Sequence, residues 1–261
     1  MTGTAGIAGP AERAAPPTEA LRIRDLHCGY GRTQVLRGVD LTVRAGSVVA
    51  LVGPNGAGKT TLLKAVAGAI KPSRGTLHIG GRDVTRDPAH RRARLGLVHI
   101  PEGRGIFRSL TVEENLSLQA IGSARAALEK ATAAFPILGN RLSQVAGSLS
   151  GGQQQMLALA AAYVRDPTLI VVDEASLGLA PVAVNDVFEF ISRRAAEGTS
   201  ILIVDQYVDR ALALASRAYL MRKGEIRFSG SAEELAATDI FAEYVGRQGS
   251  VSLPQKGEHH V

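Results

Sequence analysis

The sequence predicts an α/β fold: a parallel sheet flanked by helices, an antiparallel β subdomain on its N-terminal side, and an inserted helical subdomain. Three observations carry this. Short apolar runs rich in β-branched residues recur at 48–52, 97–100, 169–172 and 201–204, alternating with helical segments such as 58–69. Runs of that length without polar alternation belong to strands buried on both faces. Residues 21–24 and 39–43 instead alternate apolar with polar, as half-buried antiparallel strands do, and Gly29-Tyr30-Gly31 punctuates them as a turn. The stretch 111–141 is rich in Ala, Leu, Glu and Arg with few strand formers, which marks the helical insert, taken as part of a subdomain spanning about 104–165.

The chain has 261 residues, enough to bury a core without disulfide or metal staples. Residues 1–20, rich in Ala, Gly, Pro and Thr without periodicity, are expected to form a disordered tail, residues 21–246 the folded domain, and 247–261 a second tail. His259 and His260 fall in that tail and read as solvated. A single Cys excludes an internal disulfide and a thiolate metal site, pointing to a reducing compartment. No run approaches the ~20 apolar residues of a membrane span, and the N-terminus lacks the basic lead and apolar core of a secretory signal. The net charge of +6 admits an anionic partner, but the 11 Phe and Tyr residues are not interleaved with basic ones as base-stacking platforms require.

Chemistry concentrates in three motifs. Gly53-Pro54-Asn55-Gly56-Ala57-Gly58-Lys59-Thr60 matches G-x-x-x-x-G-K-[ST] between a predicted strand and a predicted helix. Its glycines let backbone N–H groups turn inward as an anion nest, and the helix N-terminus adds positive potential there. Lys59 is expected to reach the β- and γ-phosphates and Thr60 to ligate Mg²⁺, with Thr61 supporting the phosphates. In the second motif, the run 169–172 ends in Asp173-Glu174, two carboxylates at a strand tip where α/β proteins bind ligands. Asp173 is expected to hold the metal shell and Glu174 to orient and deprotonate an attacking water. The third, Leu149-Ser150-Gly151-Gly152-Gln153, sets a hydroxyl and two glycines at the start of a helix predicted over 154–164, which makes a second anion site.

With this pentapeptide, residues 21–246 resemble the ATP-binding cassette (ABC) ATPases, whose signature it is. The resemblance implies a RecA-like P-loop core of ABC type with ATP and Mg²⁺ as ligands. It also implies a head-to-tail dimer in which Ser150, Gly151, Gly152 and Gln153 serve the nucleotide on the partner's P-loop. Tyr30 matches the family's adenine-stacking aromatic, the other reading being a turn aromatic packed on its strand pair. Glu102, in Pro101-Glu102-Gly103-Arg104, takes the place of the family's Mg²⁺-contacting Gln, and Gln206 that of its switch His. The loop Ser176-Leu177-Gly178-Leu179-Ala180-Pro181 lacks the family's usual Asp, while Ala175 and Ala161 replace a common Pro and Arg.

These departures together resemble the second ATP-binding subunit of branched-chain amino-acid importers, with urea or amide importer ATPases close behind. A soluble non-transport ABC ATPase is a further alternative, although the tandem cassettes or coiled-coil arms usual there are missing. A GTPase switch is disfavoured by the lack of an N-K-x-D or T-K-x-D motif. The resemblance implies a second ABC ATPase subunit, two membrane permeases and, indirectly, a solute-binding protein as partners, with no nucleic acid. It places the chain in the cytoplasm, peripheral on the inner face of the membrane.

The remaining polar residues read as structural. Arg82, Arg86, Arg91, Arg92, Arg94, Arg104 and Arg108 are expected to form a solvated face, the other reading being a surface near anionic lipid headgroups or a partner subunit. Cys28 reads as a small buried filler, and His27, His78, His90 and His99 show no ligand spacing.

Overall fold

A computed structural model describes residues 18–238; the two predicted tails fall largely outside them. The first strand opens at Glu19, so Glu19 and Ala20 belong to the domain and not to the predicted tail, Glu19 pairing with Arg44.

The N-terminal hairpin joins β1 (Glu19–Tyr30) to β2 (Thr33–Arg44). Each strand is far longer than the alternating segments predict. Register shifts between Ile23 and Gly29 break the two-residue period that would have revealed them. With β4 (Arg74–Ile79) and β5 (Arg82–Asp83) they form an antiparallel sheet of order β2-β1-β4-β5.

The second sheet runs β10-β9-β3-β8-β7-β6. Its parallel strands are β3 (Val48–Val52), β6 (Leu97–Ile100), β7 (Leu169–Asp173), β8 (Ser200–Val204) and β9 (Arg217–Arg222), with β10 (Glu225–Gly230) antiparallel at one edge. Every residue of β3, β7 and β8 is buried. Their alternate residues belong to different cores. Val48, Ala50, Val52, Ile170, Val172, Ile201 and Ile203 face the helical side. Val49, Leu51, Leu169, Val171, Leu202 and Val204 face α1 (Lys59–Ala67) and the antiparallel sheet. The central sheet is thus the wall between two hydrophobic cores, which is why its strands read as unbroken apolar runs.

The predicted insert resolves into α3 (Val112–Gln119), α4 (Ala124–Ala134) and the short α5 (Pro136–Gly139), followed by α6 (Gly151–Tyr163). A capping box at Thr111 and Glu114 starts α3. Helix α7 (Pro181–Ala196) lies between β7 and β8.

One expectation is overturned within the arginine run. Arg92, in α2 (Ala89–Arg94), is 1% exposed rather than part of a solvated face. Its guanidinium donates to the carbonyls of Ala65 (2.5 Å), Val66 (2.8 Å), Thr85 (3.3 Å) and Asp87 (2.9 Å). It therefore caps the C-terminal end of α1, satisfying carbonyls a helix leaves open. Burial pulls its pKa down and the Asp87 charge opposes that. His99, in β6, is half-buried. Burial and nearby Lys64 pull its pKa down to about 4, and its Nε2 has no hydrogen-bond partner among the described residues.

Candidate functional site

Four neighbouring parallel strands end on the same edge of the sheet. From β3 the chain enters the Gly53–Gly58 loop; β7 ends in Asp173; β8 leads to Asp205 and Gln206; β6 leads to Pro101. Because β3, β8, β7 and β6 are consecutive in the sheet, the predicted residues converge through topology alone.

The loop after β3 is shaped by close backbone approach. At Gly53, with φ 154°, a Cβ would lie 2.2 Å from the Met221 carbonyl oxygen, so only glycine fits. Gly58 caps α1 at φ 110°, against Val35 and Leu36 of β2 and Met221 of β9. The Gly224 N–H donates to the Ala57 carbonyl (2.8 Å), tying the β9–β10 turn to the same loop. Pro54, Asn55 and Gly56 form its outer rim, with Asn55 and Gly56 exposed and Ala57 buried.

Lys59 is 8% exposed, and its Nζ donates to the carbonyls of Gly53 (2.7 Å) and Pro54 (3.2 Å), inside the curve of the loop. Burial lowers its pKa, countered by the Glu174 and Asp173 charges. The Thr60 hydroxyl donates to Asp173 Oδ1 (3.2 Å), and Thr61 is buried beneath. Asp173 is 1% exposed and has its pKa pushed up to about 6. Burial is the main cause; the Thr60 hydrogen bond opposes it, the Glu174 and Glu102 charges add to it, and Lys59 opposes it. Among the described residues no cluster of three or more His, Cys, Asp or Glu side chains is placed to hold a metal. The paired oxygens of Thr60 and Asp173 fit Mg²⁺, a hard ion that binds through one or two protein oxygens plus waters and substrate phosphates.

Glu174 has the left-handed φ of 48°, and its N–H donates to Val204 O (2.8 Å). That bond fixes the backbone as it leaves β7. Gln206 lies exposed after the next strand, and Tyr30 is 48% exposed at the hairpin tip, where it pairs with Thr33. The tip is anchored near the loop, since Val35 and Leu36 abut Gly58.

Sequence reasoning missed a carboxylate that holds two of these segments together. Asp205 is 6% exposed and accepts from the Ser176 hydroxyl, the Ser176 N–H (3.2 Å) and the Tyr207 N–H (3.0 Å). It bridges the loop bearing Glu174 and the one bearing Gln206. An Asp beside the position matched to the switch His was the only available signal.

The signature lies at the N-terminus of α6. Ser150 and Gln153 form a capping box: Ser150 Oγ accepts from Gln153 N–H (3.3 Å), and Gln153 Oε1 accepts from Ser150 N–H (3.0 Å). Ser150 is exposed, and Gly151, Gly152 and Gln153 are half-buried. Glu102 is exposed, and its charge reaches Asp173.

The ABC transporter family profile matches residues 36–177. The chain belongs to the ABC transporter family. It is a transport ATPase that binds and hydrolyses ATP. The high-affinity branched-chain amino acid transport ATP-binding protein BraG of Pseudomonas aeruginosa is 39% identical over 201 residues, covering 76% of this chain and 86% of its own length. The probable branched-chain amino acid transport ATP-binding protein LivF of Archaeoglobus fulgidus is 37% identical, covering 85% of this chain and 96% of its own. The lipopolysaccharide export system ATP-binding protein LptB of Acidithiobacillus ferridurans is 32% identical over 88% of this chain and 98% of its own. A solved ABC transporter cassette in its ADP conformation matches with a TM-score of 0.75 at 27% identity, covering 87% of this chain and 99% of that one. The ABC fold accounts for the mixed architecture, and no described helix is long and apolar enough to cross a membrane.

Proposed function

We propose that this ABC ATPase powers a branched-chain amino-acid importer, working as half of an ATP-sandwich dimer on the inner face of the membrane. Its partners in this reading are a second ABC ATPase subunit, which is either a copy of itself or a different cassette, and two membrane permeases. A solute-binding protein acts indirectly. The observation that carries the reading is the convergence of Lys59, Thr60, Asp173 and Glu174 at one sheet edge, joined to the BraG and LivF similarity.

The loop amides of residues 53–58 and the N-terminus of α1 bind the phosphates, Lys59 balances their charge, and Thr61 supports them. Tyr30 stacks on the adenine, an interaction worth ~1–3 kcal/mol with any base. Thr60 and Asp173, with Glu102 alongside, would hold Mg²⁺, which when bound neutralises charge on the β- and γ-phosphates. Glu174 accepts a proton from the water that attacks the γ-phosphorus; the bond to the β-phosphate oxygen breaks, leaving ADP and phosphate. Gln206 donates a hydrogen bond to the γ-phosphate but, unlike His, cannot gain charge near neutral pH. Ser150, Gly151, Gly152 and Gln153 cover the γ-phosphate on the partner.

A second reading, a urea or amide importer ATPase, rests on Gln206-Tyr207-Val208-Asp209, which resembles that subgroup equally well. Export is represented by the LptB similarity. Recovery of tagged chain from membranes tests the transporter assignment. Two permeases and a second cassette are the expected companions, whereas ribosomes or DNA as stable companions would overturn it. Uptake of labelled leucine and urea by cells with and without the gene decides the solute; dependence of leucine uptake on the gene is expected.

A further inference from the structure

We propose a second ligand site, in the cleft where the two sheets meet, that takes a compact phosphate-bearing polyanion. It shares no residue with the nucleotide edge.

The cleft has a volume of about 640 Å³ and lies between β2 of the antiparallel sheet and β9 and β10 of the central one. One hydroxyl bolts its two sides together. Tyr219 of β9 is 4% exposed; its O–H donates to the Thr42 carbonyl (3.4 Å), and its oxygen accepts from the Thr42 N–H (3.1 Å). A second tie runs from the Arg37 N–H to the Gly224 carbonyl (2.9 Å), between β2 and the β9–β10 turn. The walls are therefore set before a ligand arrives, which lowers the ordering cost of binding.

Charge on the lining is unbalanced. Its three acids are each engaged: Glu19 pairs with Arg22 (3.5 Å), Asp40 with Arg24 (3.8 Å) and Glu225 with Arg227 (2.8 Å). Arg37, Arg44 and Arg217 also line the cleft, and none of them has a carboxylate partner among the described residues. Arg217 is held by neutral groups instead. Its Nε donates to the Tyr219 hydroxyl oxygen (3.2 Å) and its Nη2 to Ser229 Oγ (2.7 Å), and its guanidinium lies 5.4 Å from the centre of the Tyr219 ring. Its Nη1 makes no hydrogen bond among the described residues, which leaves it for a ligand. Like charges around one cleft favour an anion between them.

The ligand's chemistry follows from this lining. Guanidinium forks match the oxygens of phosphate, and phosphate concentrates charge in one small group. The volume falls in the range of small-molecule sites. No ring is open to stack a base, because the lining's one aromatic, Tyr219, is buried with Arg217 over it. The cleft thus favours a compact polyanion over a nucleotide. Such a phosphate can belong to a soluble anion or to a lipid headgroup, and the test separates the two.

Equilibrium titration with magnesium-free pyrophosphate tests the site, in the full chain carrying Lys59→Ala so that the P-loop contributes little. About one equivalent is expected to bind, as for a single pocket. Adding Arg37→Gln, Arg44→Gln and Arg217→Gln together should weaken binding by about tenfold or more. Arg86, Arg94 and Arg108 are exposed and outside the lining, and changing all three to Gln removes the same charge elsewhere. That control should alter binding by less than about twofold. Arg37→Gln alone alters an exposed side chain without a hydrogen bond or ion pair among the described residues, and it should reproduce part of the loss even if the triple variant folds poorly. The second arm is pelleting with phosphatidylcholine vesicles, with and without phosphatidic acid. Cleft-dependent pyrophosphate binding assigns the site to a soluble anion; cleft-dependent pelleting on phosphatidic acid without pyrophosphate binding assigns it to a headgroup. Absence of binding in both arms overturns the inference. So does equal weakening by the two triple variants, which would mean diffuse attraction to a basic surface.

Discussion

The two turns proposed to bind phosphate are built differently. The P-loop is closed on itself and on its surroundings: Lys59 is held by the carbonyls of Gly53 and Pro54, Gly224 grips Ala57, and the Arg92 guanidinium caps the far end of α1. The signature turn is exposed at Ser150, and Ser150 and Gln153 bond to each other. In the proposed sandwich the first turn forms its half-site from within one chain. The second is proposed to be completed by another chain. Nucleotide affinity should therefore follow the first turn and turnover should need both.

Substitution of Glu174 separates chemistry from binding. Glu174→Gln keeps the shape of the β7 end but removes the proton acceptor, so phosphate release should fall by about 1,000-fold while nucleotide affinity stays within about threefold. A parallel loss of affinity would mean that Glu174 is a binding group. Next comes the pair that contrasts the turns. Lys59→Ala should weaken nucleotide binding on the order of 100-fold, about 2.7 kcal/mol, in equilibrium titrations. Ser150→Ala should leave that affinity alone, cost about 1 kcal/mol of stability through the lost helix cap, and slow turnover of the assembled ATPase by about tenfold. If Ser150→Ala weakened binding as much as Lys59→Ala, the division between the turns would collapse.

A smaller effect comes from pH. Burial raises the Asp173 pKa to about 6, so this carboxyl is mostly ionised at pH 7 and mostly protonated at pH 5. Binding of Mg·ATP favours the ionised form, so affinity should fall by about tenfold from pH 7 to pH 5. Asp173→Asn should bind more weakly and lose most of this slope between the same limits. The smallest effect belongs to Gln206→Ala, expected to lower turnover by only a few-fold because an amide cannot act as a charged switch. A loss equal to that of Glu174→Gln would show that the switch position remains essential.

Legibility followed contact range. The P-loop, the Asp173-Glu174 strand end and the signature are local patterns whose glycines and carboxylates sit within a few residues of each other, and they are evident in the sequence. So are the four buried strands, because the wall between two cores must be apolar on both faces. The hidden features join residues distant in the chain: Arg92 to Ala65, Asp205 to Ser176, and Arg104 to Gln154. An arginine run with acids beside it reads as surface, and nothing local distinguishes Arg92 from Arg91, which is exposed. The strands β4 and β10 escaped for another reason. Their mixed burial gives neither an apolar run nor clean alternation.

This chain is proposed to supply one complete nucleotide turn and one half-site to an ATP sandwich. Sedimentation of the Glu174→Gln chain with Mg·ATP, alone and with its candidate second cassette, tests it directly. The expected result is an ATP-dependent two-cassette species that dissociates when ATP is removed and that Ser150→Ala weakens. Tight ATP binding with the chain remaining a monomer in both mixtures would contradict it.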